Sequence, residues 1–156
     1  EWLQYSIHDL PDTLAWARAH DIYGDAGPRF VDSIRSAGPQ ELIYFGGTLQ
    51  YIPDGSGALH AATELQPTAI LMTQTVVAVD GEPMTVIQTE APSGAVEFYV
   101  RSLVEIKNLL AASGFRLAAR SSEHVAGGPK NLRDAARGVC EYRRSLLLFL
   151  RHPVAP

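Results

Sequence analysis

An α/β fold on a mainly parallel sheet is predicted by three features of this 156-residue chain. Short apolar runs alternate with segments whose apolar residues recur at helical spacing, the pattern of strand–helix–strand units. The apolar run that opens at Ile43 stops at the paired glycines Gly46 and Gly47, as a strand does when it hands over to a loop. Residues 145–150 are too apolar for anything but buried sheet, and they follow another strand without a long helix between, which predicts an antiparallel pair at the end.

The elements follow in order. Residues 2–8 alternate Leu3, Tyr5 and Ile7 on one face, and Pro11-Asp12 opens a helix with Leu14 and Ala17 inward that fades over residues 20–24. Gly38-Pro39 breaks the chain before a strand at 41–45, and residues 58–65 form a helix that Pro67 ends. Residues 68–79 are the next strand. The Asp80-Gly81 turn then lets residues 84–89 return as a hairpin arm. Residues 101–113 are the clearest helix, with Leu103, Ile106, Leu109 and Leu110 on one stripe and Gly114 as its cap. Strands at 115–120 and 141–151 flank a loop marked by Gly127-Gly128-Pro129. Without repeats or a linker, residues 1–156 read as one domain.

Composition narrows the function classes. With 46% hydrophobic and 19% charged residues the chain is long enough to bury a core. A net charge of −4 lacks the basic surface that tight nucleic-acid binding needs. Cys140 is the single cysteine and reads as a half-buried strand residue, and no Cys/His cluster has metal-ligand spacing, so no metal is expected. No apolar run approaches the ~20 residues of a membrane helix, and no signal peptide is legible, which makes cytoplasm the expected location and a membrane partner unexpected.

The words of residues 43–54, IYFGGTLQYIPD, resemble the segment after the fourth strand of class I S-adenosylmethionine-dependent methyltransferases. Residues 5–18, YSIHDLPDTLAWAR, are similar to that family's second strand and following helix, and Phe30-Val31-Asp32-Ser33 to its third strand. The resemblance implies a Rossmann-like methyltransferase sheet with an antiparallel last strand and S-adenosyl-L-methionine as cofactor. It implies that Asp9, beside Leu10, takes the two ribose hydroxyls, that Asp32 and Ser33 lie by the adenine, and that Gly46, Gly47, Gln50 and Tyr51 lie close to the methyl group. A carboxylate suits the ribose position because it is acceptor-only and takes both hydroxyl hydrogens at once. The family's first strand and glycine-rich turn have no counterpart ahead of Asp9, so an N-terminally truncated domain is expected, inactive alone. Two sheet edges opened by that loss would invite pairing with another chain, a homo-oligomer among the outcomes.

Each residue also has a plainer role. Asp9 suits a helix start, Asp32 a turn, the glycines a tight strand exit and Tyr51 a half-exposed core aromatic. Methyl transfer from a sulfonium relies on alignment, and a base is needed only when the acceptor must lose a proton. Tyr51, His60 and Glu90 are the candidates for that base, unranked by sequence, and for His60, within a helix, a solvent-facing or satisfied histidine is the commoner outcome. His8, His20, His124 and His152 share no spacing and read as structural or surface residues. Residues 88–90, with Tyr99 and Arg101 from the next helix, are candidates to line an acceptor pocket. The expected acceptor is a small molecule or sugar bearing a hydroxyl. The alternative is a non-catalytic Rossmann-like module acting through protein association. A dehydrogenase is disfavoured because no G-x-G-x-x-G occurs.

Overall fold

The computed structural model describes residues 4–20, 27–79, 82–90, 94–124 and 142–152. The readings of Leu3, the Asp80-Gly81 turn, the Gly127-Gly128-Pro129 loop and Cys140 lie outside them.

Strand β1 (Ser6–Ile7) pairs in parallel with β2 (Arg29–Phe30), Ser6 opposite Arg29 and Ile7 opposite Phe30. Between them runs α1 (Pro11–His20), with proline at its first position, where no N–H is required, and with Leu14 and Ala17 buried. In the segment after β2, Ile34 packs against the main core and Arg35 holds Glu64 through two hydrogen bonds, which ties this unit to the rest of the molecule.

The larger sheet starts with β3 (Leu42–Gly46), which crosses through α2 (Gly55–Glu64) to the parallel strand β4 (Ala69–Ala78). A hairpin of β5 (Met84–Glu90) and β6 (Gly94–Ser102) follows, then α3 (Leu103–Ala112), β7 (Phe115–His124) and β8 (Tyr142–Arg151). Strand β8 inserts between β4 and β7 and runs antiparallel to both. The order β3-β4-β8-β7 therefore has three strands in one direction and the last strand reversed. Helices α2 and α3 bury Leu59, Ala62, Ile106 and Leu110 against Ile70, Met72, Val77, Leu147 and Phe149 of the sheet. Gly114, at φ +84°, ends α3 as expected of a left-handed cap.

Three expectations need correcting. The β5 arm does not return against β4; it pairs along its length with β6, because β8 holds one edge of β4 and β3 and β6 hold the other. The hairpin has its own small core, in which Met84, Val86, Phe98 and Val100 meet Val76 and Ala78. Second, Tyr99, Arg101 and Ser102 belong to the end of β6 instead of a helix, and the β5 arm runs one residue further, to Glu90. The alternating burial of Phe98, Val100 and Ser102 outweighs helical propensity there. Third, α2 starts three residues early because Asp54 caps it, its Oδ1 accepting from Gly57 N at 2.7 Å.

Two edges bear on function. Among the described residues β1 has one ladder neighbour, β2, and β3 has one, β4. On the outer face of β3, Leu42 and Tyr44 are 51% and 59% exposed.

Candidate functional site

In parallel α/β sheets ligands sit beyond the carboxyl ends of the strands. Asp9 stands two residues past β1 and Asp32 two past β2, and the register of that ladder puts both carboxylates at one end. Asp9 is exposed, and its Oδ1 accepts from Leu10 N at 2.7 Å, leaving Oδ2 for a ligand. Leu10 projects with 71% exposure. Asp32 pairs with Arg18 at 2.9 Å in an exposed bridge worth little to stability. Ser33 is engaged in a turn, its Oγ accepting from Ser36 N at 3.1 Å.

The second group gathers where the edge of β4 changes partners. Residues 69–73 of that edge pair with β3 and residues 77–78 with β6, and a bulge falls between Met72 and Thr75. Gly47 leaves β3 at φ +68° and donates its N–H to Thr73 O at 2.8 Å. Replacing Gly47 with alanine is expected to cost about 1–2 kcal/mol in denaturant unfolding, the price of a β-carbon in the left-handed region. The Tyr44 ring covers Gly46, and its hydroxyl meets Thr73 Oγ1 at 2.8 Å.

Gln50 is 6% exposed and spans this junction, its Nε2 donating to Gly47 O at 2.7 Å and Gln74 O at 3.3 Å. Two carbonyls accept only from a donor, so the amide orientation is determined, and its Oε1 is left buried without a partner among the described residues. The Gln50 side chain thus braces the strand exit from below, while Tyr51 remains 46% exposed with its ring edge-on to Phe98 at 5.4 Å.

Arg101 clamps the following loop. Its Nη2 donates to Ile52 O at 2.5 Å and Pro53 O at 3.0 Å, and a β-carbon at Gly55 would fall inside its guanidinium. Burial lowers the Arg101 pKa, opposed by the charges of Asp54 and Glu105 and by Tyr99, whose ring centre is 5.8 Å away. The hydrogen bond to Glu97 raises the Tyr99 pKa.

The other base candidates stand apart. His60 lies on the exposed side of α2, and Glu90 ends β5 with its side chain outside the described set. A separate concavity of about 590 Å³, lined by Pro39, Glu41, Glu64, Gln66 and Thr68, lies at the amino end of β3, away from these groups. Among the described residues no three metal-ligating side chains cluster, and no helix is long and apolar enough to cross a membrane. Sequence reasoning missed Tyr44, Thr73 and Gln74; the signal for the last two is a polar T-Q-T inside an apolar strand.

No protein-family model matches the sequence, and no curated protein does. Solved structures do. The N-terminal domain of EvdMO1 with S-adenosylhomocysteine bound superposes with a TM-score of 0.61 at 12% identity, covering 96% of this chain and 65% of that one. The fold is that of S-adenosylmethionine-dependent methyltransferases. A putative methyltransferase of this kind from Listeria monocytogenes gives 0.59 at 10% identity over 96% and 81% of the two chains. The [4+2]-cyclase SpnF gives 0.57 at 15% over 98% and 68%. The chain spans 37% to 81% of the length of the structures it matches. At such identities the likeness fixes architecture, and SpnF shows that the methyltransferase fold serves other chemistry too.

The residues present fit an adenosyl cofactor. Asp9 is an exposed carboxylate with an oxygen outside its described hydrogen bond, Gly47 leaves its backbone bare of a β-carbon, and Gln50 keeps a buried acceptor unpaired among the described residues.

Proposed function

We propose that this chain is part of an S-adenosylmethionine-dependent methyltransferase acting on a small, hydroxyl-bearing acceptor such as a sugar, in the cytoplasm. The observation that carries the reading is the placement of Asp9 and Asp32 together at one end of the β1–β2 ladder, with the fold's likeness in support. Asp9 holds the ribose, Leu10 and Ser33 flank the nucleoside, Asp32 faces the adenine, and the Gly46–Gly47 exit lets the sulfonium end approach the backbone. The bound cofactor supplies an electrophilic methyl group. Tyr51, exposed beside the strand exit, orients the acceptor.

In the full reading frame that contains this chain, Asp9→Ala is expected to weaken binding of S-adenosylmethionine and S-adenosylhomocysteine alike by at least about tenfold in calorimetry, the scale of a charged hydrogen bond. Unchanged affinity would remove Asp9 from the site. Absence of binding by the parent protein would overturn the reading.

The single described neighbours of β1 and β3 favour a second reading, a Rossmann-like module that associates with another chain, a second copy included, through its sheet edges. The residues 1–156 taken alone then bind the cofactor weakly and sediment as a stable oligomer.

A further inference from the structure

We infer that Gln74 faces the sulfonium of the bound cofactor and sets the preference for the charged cofactor over its neutral product; this rests on the function proposed above. Gln74 has φ +53°, a conformation that costs a side chain energy and that Gly or Asn adopts more readily. Backbone outliers of this kind persist where surrounding structure holds them, and they gather at functional sites. Here the restraint is visible. Gln50 Nε2 donates to the Gln74 carbonyl, and the preceding residue, Thr73, is held on both sides, its carbonyl by Gly47 N–H and its hydroxyl by Tyr44.

The outcome of this restraint is an exposed carboxamide over the strand exit. Gln74 Oε1 lies 3.4 Å from the point where a β-carbon on Gly47 would stand. Between its pairing with β3 and its pairing with β6, β4 carries Gln74, Thr75 and Val76, and of these the exposed Gln74 presents a polar oxygen beside Gly47. The left-handed backbone at Gln74 falls in the β4 bulge between Met72 and Thr75, and the Gln74 side chain makes no described hydrogen bond that would hold its carboxamide elsewhere. An amide oxygen is the negative end of a dipole and is attracted to a sulfonium cation. The sulfur of the demethylated product is an uncharged thioether and loses that attraction, so the effect is differential between two ligands of nearly the same shape.

The test compares affinities for S-adenosylmethionine and S-adenosylhomocysteine in the full reading frame, by calorimetry, for wild type, Gln74→Gly and Gln74→Glu. Glycine removes the carboxamide and relieves the positive φ, so the fold is retained and its Tm held or raised. It is expected to lower S-adenosylmethionine affinity about fivefold, the scale of a single polar contact, with S-adenosylhomocysteine affinity unchanged. Glutamate keeps the shape, adds a full negative charge and is expected to shift the preference the opposite way. Equal changes for both ligands, or no change in either variant, would overturn the inference and leave the cofactor assignment intact. Failure of wild type to bind either ligand would overturn both.

Discussion

Phe149→Ala is expected to lower the unfolding free energy by about 3–5 kcal/mol, the largest effect of any single substitution considered, because it removes an aromatic ring from a close-packed interior. Phe149 is 1% exposed, sits on β8 opposite Ile70 of β4 and Leu117 of β7, and belongs to the cluster that includes Leu110, Phe115 and Leu147. The site is covered from both sides: α2 and α3 close the helical face, and two strands flank β8. Such a frame collapses little around a void, so the cavity cost adds to the lost transfer energy. For a domain of this size the change corresponds to a fall in Tm of roughly 8–15 °C, readable by thermal unfolding. A fall of a degree or two would mean that β8 is loosely packed and that the reversed last strand contributes little to the fold.

Arg101→Ala is expected to act on the loop that carries the candidate site. The guanidinium satisfies the carbonyls of Ile52 and Pro53, and its loss strands both while opening space over Gly55. Hydrogen bonds to a charged donor and the packing of the arginine stem together predict a destabilisation of about 2–3 kcal/mol. The functional consequence is separate. Tyr51 adjoins the released segment, so backbone amides around residues 51–55 are expected to exchange hydrogen faster, while those of β4 and β8 keep their protection. Lysine at this position restores the charge but on a shorter side chain, without the guanidinium plane whose Nη2 reaches both carbonyls, and it rescues only part of the protection. Uniformly faster exchange across the sheet would show that Arg101 supports the whole domain and not the loop.

Much of this architecture was legible in advance for local reasons. Pro11 announces a helix start, the spacing of Leu103, Ile106 and Leu110 announces an amphipathic helix, and Gly114 its end. The strand exit at Gly46-Gly47 was equally readable, because glycine is the residue that a left-handed turn demands. The hairpin was half legible: alternation marked β5 as a strand, but alternation says nothing about partners, and the edges of β4 are taken by β3 and β6 on one side and by β8, more than fifty residues further along the chain, on the other. Arg101 was misplaced into a helix because the helical stripe starts only two residues on, at Leu103, and nothing local separates the end of a strand from the start of a helix across that boundary.

The site divides along the same line. Asp9, Asp32, Gly47, Gln50 and Tyr51 stand out by residue type and by position relative to their own strands, and sequence alone determines that each lies just past a strand end. Which side chains turn outward was decided by the tertiary structure. Gln50 points into the frame because the carbonyls of Gly47, just past β3, and of Gln74 in β4 converge on its amide, and Gln74 is held in a left-handed conformation at a bulge in the pairing of β4 with β8. Periodicity and motif spacing are properties of neighbours along the chain. Strand order, the bulge and the direction of a carboxamide follow from contacts between segments far apart in it, and those are set by packing and by the requirement that buried polar groups find partners.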